Sequence, residues 1–395
     1  MTDQRSRRIL TINTGSSSLK AALYDLGDRE QLSIQALVER IGLSGGHIRI
    51  SDAGGATLLD EQRALPDHAA ALRALFAWLQ AQQLANSLDA IGHRVVHGGS
   101  RYSAPHLIDA ALLQAVRDLI PVDPDHLPQA ISAIQAAQQA YPNIPQVACF
   151  DTAFHRTMPR VAQIYALPRR LADEGLLRYG FHGLSYEYIL HALREEDPGA
   201  AAGRVIIAHL GNGASMAAVQ DGKSVETTMG FSPTGGLVMG TRSGDLDPGV
   251  LLYLLQSQGM NAATLNQLVN HQAGLLGVSG TSADMRDLLS REASDPAAAE
   301  AITLFCYQAR KFVGALAAAL GGVETLIFTG GMGEHAAPIR SRICAGLEFL
   351  GIGLDGERNE AHAPIISNEG GRVVVRVMQT NEDLMIARHT YRLLS

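Results

Sequence analysis

The sequence predicts an α/β protein with mixed sheets, and it indicates that the protein is built from two related halves. Segments with strand-like and helix-like apolar spacing alternate along the chain, which is typical of α/β folds. A strand–loop–strand pattern near the start recurs about half a chain later. The chain has 395 residues, of which 46% are hydrophobic, so it is long enough for two domains with buried cores.

The first half begins with a series of strands. An apolar run at residues 8–13 enters a turn of glycine and serine and leaves it through alternating Leu19, Ala21 and Leu23, which predicts a second strand. The predicted elements of this half are strands at 8–13, 18–25, 33–40, 47–51 and 56–60, a helix at 67–82, a strand at 89–96, helices at 109–119 and 127–140, and a strand at 146–150.

The second half contains a copy of the opening pattern at residues 205–221. A shift of 196 residues places Gly15 on Gly211 and Asp25 on Asp221 without a gap, and the following Asp-Gly pair indicates a hairpin. The repeat favours two related domains that face each other, and a chance likeness of two amphipathic hairpins is the alternative. The other predicted elements are helices at 184–195, 249–257, 262–270 and 297–319, a strand at 324–329, a helix at 337–348, a strand at 373–378 and a helix at 383–394.

The first loop has the residue types of an anion-binding loop. Gly15 and the serines that follow it offer backbone amides and hydroxyls without bulky side chains, and Lys20 comes just beyond them. Asn13 places a neutral oxygen at the strand end, where it suits a hard metal ion. Two such loops, one in each half, suit the polyphosphate of a nucleotide. A serine-rich hairpin without a ligand is the alternative interpretation.

Composition excludes several classes of protein. The net charge of −7 and the lack of a basic face argue against a nucleic-acid partner. No apolar run reaches the length that spans a membrane, and the opening MTDQRSRR lacks the apolar core of a signal peptide. Cys149, Cys306 and Cys344 are far apart and lack the spacing of metal ligands. We therefore expect a cytoplasmic, reduced and soluble protein.

Six apolar strands end in polar or charged residues, and in five of them glycine accompanies these residues. Ligands of α/β proteins collect at strand ends, and two arginines on glycine-flanked loops, Arg94 and Arg242, suit a phosphoryl group. Each arginine alone is more commonly part of a salt bridge, but with two carboxylates and two glycine-rich loops the pair favours phosphoryl transfer. The polar residues of these segments are Arg94, His97, Asp151, His182, His209, Arg242, Asp245, Asp247 and Glu334.

Eight sequence motifs extend from Asn13 to Glu382, namely NTGSSSLK, GHRVVHGG, FDTAFHRTMP, RYGFHG, HLGNGAS, MGTRSGDLDPG, FTGGMGE and TNED. In this order and spacing they make the chain resemble a known family, the acetate kinases of the acetate and sugar kinase, Hsc70 and actin superfamily. The resemblance implies duplicated ribonuclease H-like, actin-like ATPase domains whose mixed sheets are flanked by helices. It implies a first domain of residues 1–150 with the returning segment 383–395, a second of residues 151–382, and an active site in the cleft between them.

The same resemblance implies roles for individual residues. By similarity, Asp151 is the catalytic aspartate, Arg94 contacts the carboxylate substrate, and Arg242 contacts the transferring phosphoryl group. His182 stabilises the transition state, and His126 is a further active-site histidine. The other implied contacts are Asn13 and Glu382 with the metal; Lys20, His209, Leu210, Gly211, Asn212, Gly213, Asp284, Met285, Arg286, Gly331, Met332, Gly333, Glu334 and His335 with the nucleotide; and Val96, Phe181 and Pro233, with Arg94, in the substrate pocket.

The implied reaction is a reversible, Mg²⁺-dependent and direct in-line transfer of the γ-phosphoryl group of ATP to acetate, which gives acetyl phosphate and ADP. Mn²⁺ is an alternative metal, and a homodimer is the implied assembly. Acetate is ionised at neutral pH, so the acceptor needs no general base. The difficulty is the approach of two anions, which positive side chains and the metal would ease.

Three alternatives stay open beside acetate kinase. They are a kinase of propionate or another short carboxylate, a sugar or other hydroxyl kinase of the superfamily, and a non-catalytic nucleotide-dependent switch. A hydroxyl kinase needs a general base and leaves the Arg94 and Arg242 pair unexplained. The sequence departs from the family pattern at Asp125, where a leucine is usual, which leaves the acyl chain open. His335 replaces the usual asparagine of the nucleotide loop.

Overall fold

A computed structural model describes residues 6–395 of the protein. The first five residues, which belong to the MTDQRSRR segment, lie outside the described residues. The strands are β1 (Arg7–Thr14), β2 (Ser18–Leu26), β3 (Glu30–Glu39), β4 (His47–Asp52), β5 (Thr57–Gln62), β6 (Ala90–Val95), β7 (His106–Leu107), β8 (Gln146–Phe150), β9 (Arg204–Leu210), β10 (Ala214–Gln220), β11 (Lys223–Thr227), β12 (Thr325–Thr329) and β13 (Val374–Val377).

Helices separate and cover these strands. They are α1 (His68–Ala81), α2 (Ala110–Asp118), α3 (Leu127–Ala140), α4 (Arg160–Gln163), α5 (Arg169–Asp173), α6 (Gly183–Glu196), α7 (Pro198–Ala202), α8 (Pro248–Gln256), α9 (Ala262–His271), α10 (Gly274–Ser279), α11 (Met285–Arg291), α12 (Pro296–Leu320), α13 (Gly330–His335), α14 (Ala337–Cys344), α15 (Gly356–Glu360) and α16 (Glu382–Leu394). None of the helices within residues 6–395 combines the length and the apolarity that crossing a membrane requires.

The chain divides into two compact units. Unit 1 contains the described residues up to Ala153 together with Asn381–Ser395, and unit 2 contains Phe154–Thr380. Asp151 and Glu382 therefore belong to unit 1, whereas the sequence prediction assigned both to the second domain. The α/β fold with mixed sheets is confirmed in both units.

Unit 1 is built on a mixed sheet with the strand order β5-β4-β3-β2-β1-β6-β8-β7. Strands β1, β6 and β8 are neighbours and run parallel, so their carboxyl ends lie at one edge of the sheet. The apolar run of β1 is buried on both faces, because Leu10 and Ile12 pack into the cluster formed with α1 and α3, and Ile9 packs with Ala387 of α16. Both faces of the central strands are thus covered by helices.

Unit 2 has a five-stranded sheet in the order β11-β10-β9-β12-β13. Its hairpin of β9 and β10 is followed by the parallel strands β12 and β13, just as the hairpin of β1 and β2 is followed by β6 and β8. The sequence repeat therefore corresponds to a repeat of topology. The carboxyl ends of β9 and β12 lie together, and they lead into the loop at residues 211–213 and into helix α13, respectively.

Candidate active site

The edge of the unit 1 sheet brings four of the predicted site residues together. Asn13 lies near the end of β1, Arg94 lies near the end of β6, and Asp151 follows β8 directly. Glu382 is the first residue of α16, which packs on β1 and β6. The parallel order of the three strands explains why residues far apart in sequence meet here.

Arg94 and Asp151 form a buried two-pronged ion pair. Arg94 Nε donates to the Asp151 carboxylate at 3.0 Å, and Arg94 Nη2 donates to Asp151 Oδ2 at 2.6 Å. The side chain of Asp151 is 1% exposed and that of Arg94 is 15% exposed. Burial opposes the guanidinium charge, but Asp151 and Glu382 outweigh burial and hold the pKa of Arg94 above its usual value. Asp151 thus orients Arg94 and keeps it charged.

Asn13 links this pair to Glu382. Its Oδ1 accepts from Arg94 Nη1 at 3.1 Å, and its Nδ2 donates to Glu382 Oε2 at 3.0 Å. The bonds to Asp151 and Asn13 engage three of the five N–H groups of Arg94, so two stay open to a substrate anion among the described residues.

Carboxylates outnumber cations around Arg94. The negative charges of Asp123, Asp151 and Glu382 each raise the pKa of Arg94. The positive charges of Lys20 and Arg94 in turn act to lower the pKa of the neighbouring Asp383. Burial, together with Glu382, raises the pKa of Asp383 to about 6 although Lys20 and Arg94 oppose the rise. Asp383 Oδ1 and Asp123 Oδ2 are buried and lack hydrogen-bond partners within the described part of the chain. An excess of negative charge with unsatisfied oxygens suits a divalent cation.

The residues at this edge suit Mg²⁺, which needs few protein ligands, better than a metal ion that is coordinated entirely by side chains. No group of three or more His, Cys, Asp or Glu side chains within residues 6–395 forms a metal site. Mg²⁺ is usually held by one or two carboxylates together with water and substrate phosphates, so it needs no such cage. Glu382 supplies a carboxylate, and Asn13 Oδ1 keeps a second lone pair beside its bond to Arg94.

The remaining predicted residues of unit 1 surround this edge. His126 precedes α3, and its Nδ1 lies 2.7 Å from Asp123 Oδ1. Lys20 is exposed and pairs with Asn13 across the β1–β2 hairpin. Val96 is buried, and Asp125, the departure from the family pattern, is half-buried.

In unit 2, His182 is the residue that immediately precedes α6, and its backbone has an unusual conformation. Its φ of 59° lies in the left-handed region, and the preceding carbonyl of Phe181 accepts from His155 Nε2 at 3.0 Å. Burial lowers the pKa of His155 to about 4, so this buried histidine is neutral at physiological pH. Its other nitrogen, Nδ1, lies 2.9 Å from Ser224 Oγ. The strained position of His182 is therefore stabilised by tertiary contacts.

His182 and Arg242 converge on Gly213. A methyl group on Gly213 would lie 2.9 Å from Arg242 Nη2 and 3.3 Å from His182 Nε2. Arg242 Nη1 donates to the carbonyl of Pro233 at 2.8 Å, which ties it to a predicted wall of the substrate pocket. The ring of His209 stacks on that of His182 at 4.3 Å. Any side chain at position 213 would crowd Arg242 Nη2 and His182 Nε2, so glycine keeps the space beside these two atoms open.

A cavity of about 670 Å³ lies beside Gly213 and collects most of the residues predicted to contact the nucleotide. Met285, Leu289 and Met332 give it apolar walls, which suit the flat face of a base. Of these, Leu289 was absent from the sequence prediction. The predicted residues in the lining are Gly211, Asn212, Asp284, Met285, Arg286, Gly331, Met332 and His335.

Two side chains hold the short helix α13, which borders this cavity. Glu334 Oε1 accepts from the amide of Gly330 at 2.9 Å, so its carboxylate is turned toward the start of its own helix, α13. Arg340 is 0% exposed, and its Nη1 donates to the carbonyls of Gly333 and Glu334, each at 2.9 Å. Burial lowers the pKa of Arg340. The sequence motif contained Glu334 but gave no sign of Arg340.

Three polar residues at the predicted strand ends stabilise turns. Asp245 Oδ1 accepts from the amide of Gly236, Asp247 caps the start of α8, and His97 Nδ1 accepts from the amide of Gly99. The structure also adds residues that the sequence prediction missed, namely Asp123 and Asp383 beside Arg94, and Ser215 and Tyr186 beside His182. Ser215 lies within the HLGNGAS motif and Asp383 within TNED, so proximity in sequence was the available signal.

The sequence profile of the acetokinase family matches residues 8–388. The chain is 48% identical to the acetate kinase of Methylocella silvestris, over 98% of each chain. The crystal structure of Porphyromonas gingivalis acetate kinase superimposes with a TM-score of 0.87 at 37% identity, covering 98% of this chain and 100% of that one. A propionate kinase from Francisella tularensis superimposes with a TM-score of 0.91 at 36% identity, covering 98% and 99%. The profile and the relatives each cover nearly the whole length, and the chain therefore belongs to the acetokinase family.

Proposed function

We propose that this chain is a phosphotransferase with a carboxyl group as acceptor, and that it transfers the γ-phosphoryl group of ATP reversibly to acetate. The products are acetyl phosphate and ADP. Family membership supports the reaction class. The observation that carries the proposal is the convergence of Arg242 Nη2 and His182 Nε2 on Gly213, which follows two cavity-lining residues, Gly211 and Asn212.

The proposed reaction requires the negative charges of acetate and of the terminal phosphate to be neutralised, and it does not require a proton to be removed. Acetate and the terminal phosphate are both anionic, so their approach is opposed by repulsion. In the proposed reaction, Arg94 binds the carboxylate through its two open N–H groups, while Arg242 and His182 donate to oxygens of the transferring phosphoryl group. Preorganised donors of this kind stabilise the charge that spreads over the phosphoryl oxygens in the transition state.

Asp151 acts through Arg94 in this mechanism. Its carboxylate accepts two donors of the guanidinium and leaves the other edge of Arg94 for the substrate. Both carboxylate oxygens of Asp151 accept hydrogen bonds from the Arg94 guanidinium, so they are engaged by Arg94. We therefore assign Asp151 to the positioning of Arg94 rather than to proton transfer.

A magnesium ion would be held by Glu382 and Asn13. When bound, it supplies positive charge to the phosphate oxygens of the nucleotide. The chain's own contribution is the excess of carboxylates around Arg94 and Lys20, which favours the binding of a cation at this edge of unit 1. Mn²⁺ has the same preference for oxygen ligands and is the alternative ion.

The other predicted residues have supporting roles in the proposal. The adenosine occupies the cavity lined by Met285 and Met332, and the glycine loops at residues 209–213 and 331–335 contact the phosphates together with Lys20. Val96, Phe181 and Pro233 form the apolar walls for the acetate methyl group. His126, fixed by Asp123, is a further donor to the substrate.

The proposed activity is tested by trapping acyl phosphate as hydroxamate. The purified protein is incubated with ATP, Mg²⁺ and each of the straight-chain acids from formate to butyrate. We expect the highest kcat/KM with acetate. A maximum with propionate would assign the chain to the class of the Francisella tularensis relative, and no product with any acid would refute the proposal. Glycerol and glucose in place of the acid test for a hydroxyl kinase.

We also propose that the protein forms a homodimer through α8. This helix, Pro248–Gln256, has no buried residue, although its sequence PGVLLYLLQ is almost entirely apolar. Leu252 and Tyr253 are 54% and 56% exposed, and Val250 is 45% exposed. Contiguous apolar surface of this kind commonly marks a protein interface. A second copy of the chain is the occupant that the resemblance to the family implies.

A further inference from the structure

A chain of hydroxyl groups leads from the core of unit 2 to His182. Tyr186 Oη lies 2.5 Å from Ser215 Oγ, and Ser215 Oγ lies 2.8 Å from Nδ1 of His182. Tyr186 and Ser215 are both 0% exposed, whereas His182 is half-buried. The buried end of the chain is therefore shielded from water, and the end at His182 reaches the candidate site.

The direction of these hydrogen bonds follows from the acidity of the groups. A phenol is a far stronger acid than an aliphatic alcohol, so Tyr186 is the better donor and Ser215 the better acceptor. Once Ser215 Oγ accepts from Tyr186, its own hydrogen is free to be donated to Nδ1 of His182. Hydrogen bonds that run in one direction strengthen one another in a buried network.

A histidine that accepts at Nδ1 carries its hydrogen on Nε2 when it is neutral. We propose that Tyr186 and Ser215 are positioning residues that fix His182 in this tautomer. The consequence is that His182 presents an N–H group, not a lone pair, beside Arg242 at Gly213. The stacking of His209 on His182, with His209 Nδ1 held 2.8 Å from Ser185 Oγ, fixes the plane of the ring.

The assignment matters for phosphoryl transfer, and in this respect it rests on the proposed function. The opposite tautomer would direct the Nε2 lone pair at a phosphoryl oxygen, and two acceptors repel each other. Tyr186 and Ser215 touch neither nucleotide nor acetate in the proposed reaction. Their loss should therefore lower kcat and leave the KM of ATP and of acetate nearly unchanged.

Nitrogen NMR of the free protein tests the tautomer without any reference to activity. The chain has 14 histidines, so the ¹⁵N signals of His182 are assigned by their loss in His182→Gln. At a pH where the ring is neutral, we expect a protonated Nε2 and an unprotonated Nδ1. Ser215→Ala should give averaged signals of both tautomers. A protonated Nδ1 in the wild-type protein would overturn the inference, whatever reaction the protein catalyses.

Kinetics test the positioning role with a matched pair of variants. Tyr186→Phe removes the first donor of the chain, and Tyr188→Phe removes a hydroxyl from the same helix at a side chain that packs against the core. Because a single neutral hydrogen bond is lost, we expect kcat to fall about three- to tenfold in Tyr186→Phe, with each KM within about twofold. Tyr188→Phe should keep the wild-type kcat. Equal kcat in both variants, or a change in KM alone, contradicts the positioning role.

Discussion

At the scale of single residues, Arg94 and Asp151 have different roles in the proposal. Arg94 binds the carboxylate substrate, and Asp151 orients Arg94. Asp151→Asn removes the charge but keeps the shape, and the new amide nitrogen faces a guanidinium donor. We expect kcat/KM for acetate to fall at least about a hundredfold, as for other losses of preorganised charge, while the KM of ATP stays within about twofold. Coupled assays of ADP formation at varied acetate and ATP measure both constants.

The structure offers a matched control for this substitution. Asp25 forms a similar two-pronged pair with Arg8, in which Arg8 Nε donates at 2.7 Å and Nη2 at 3.1 Å, and neither residue is among the predicted site residues. Asp25→Asn should leave kcat/KM unchanged, because this pair is partly exposed and lies outside the candidate site. Normal turnover in Asp151→Asn would show that Arg94 does not depend on its partner.

Gly213 tests the convergence of donors directly. In Gly213→Ala, the added methyl group would lie 2.9 Å from Arg242 Nη2, so the guanidinium must move away. A displacement of about 1 Å at a reacting centre is worth roughly a hundredfold in rate, and we expect a loss of about ten- to hundredfold in kcat. Gly356→Ala, where a methyl group meets nothing within 4 Å, is the control for the substitution itself. Unchanged kcat in Gly213→Ala would move the phosphoryl site elsewhere.

The sequence motifs predicted the main charged residues of the site. They did not predict the buried charged residues that lie next to them or hold the neighbouring backbone. Arg94 and Asp151 stand at the ends of apolar strands, and that pattern is readable in sequence. Nothing in the sequence marks Asp383 as a buried carboxylate or Arg340 as a fully buried cation, because burial depends on which helices pack over them. These partners become visible only once the elements are assembled.

At the scale of elements, α13 shows why a glycine-rich segment was predicted as a loop. GGMGEH has poor intrinsic helix propensity, since three of its six residues are glycine. The segment is nevertheless helical because Glu334 accepts the amide of Gly330 at its start and Arg340 binds the carbonyls of Gly333 and Glu334 at its end. Tertiary contacts supply what the local sequence lacks.

The long helix α12 allows a comparison of two glycines that differ in backbone conformation. A methyl group would meet nothing within 4 Å at Gly314, inside the helix, or at Gly321, which ends it with a φ of +69°. Gly314→Ala should stabilise unit 2 by about 0.5–1 kcal/mol, because alanine loses less backbone entropy in a helix. Gly321→Ala should destabilise it by about 1 kcal/mol, since alanine disfavours the left-handed region. Urea unfolding followed by circular dichroism measures both, and the same sign for both would contradict the helix-end assignment.

At the scale of the whole molecule, two buried histidines link stability to pH. Burial lowers the pKa of His93 in unit 1 and of His155 in unit 2 to about 4, against an ordinary value of 6.5. The unfolded chain therefore takes up protons below pH 6.5 that the folded chain refuses until about pH 4. The contribution of each buried histidine to the free energy of unfolding is therefore fully present above pH 6.5. As the pH falls from 6.5 to about 4, each histidine lowers the free energy of unfolding by about 3 kcal/mol.

Asp383 acts in the opposite direction, since its raised pKa of about 6 lets the folded chain bind a proton before the unfolded chain does. Two histidines against one carboxylate leave a net loss as pH falls from 6.5 to 4. Asp383 lies in unit 1 with His93 and offsets most of its effect, whereas His155 belongs to unit 2 and is not offset by Asp383. Thermal melts at half-unit steps of pH should therefore show the melting temperature of unit 2 falling in this window, before most carboxylates titrate. A constant melting temperature of unit 2 between pH 6.5 and 5 would contradict the neutral, buried state of His155.

The architecture of the whole molecule was the most predictable feature, because one repeated sequence pattern predicted the same strand hairpin in each of the two sheets. The likeness between the segments around Gly15 and Gly211 corresponds to the hairpins of β1 with β2 and β9 with β10, each followed by two parallel strands. The division of the chain was less readable, since no linker marks it. Asp151 and Glu382 fell on the other side of the boundary for that reason.

The proposed homodimer gives the last prediction. In one copy of the chain, Leu252 and Tyr253 of α8 are each more than half exposed, and each would remove a large apolar area from water in an interface. Leu252→Glu would bury a charge there, so we expect a monomer by light scattering at micromolar concentration, with a circular dichroism spectrum like that of the wild type. Leu43→Glu changes a leucine of similar exposure in unit 1 and should leave the dimer intact. A wild-type protein that is monomeric at every concentration, or a Leu252→Glu variant that stays dimeric, would mean that α8 meets water rather than a second copy.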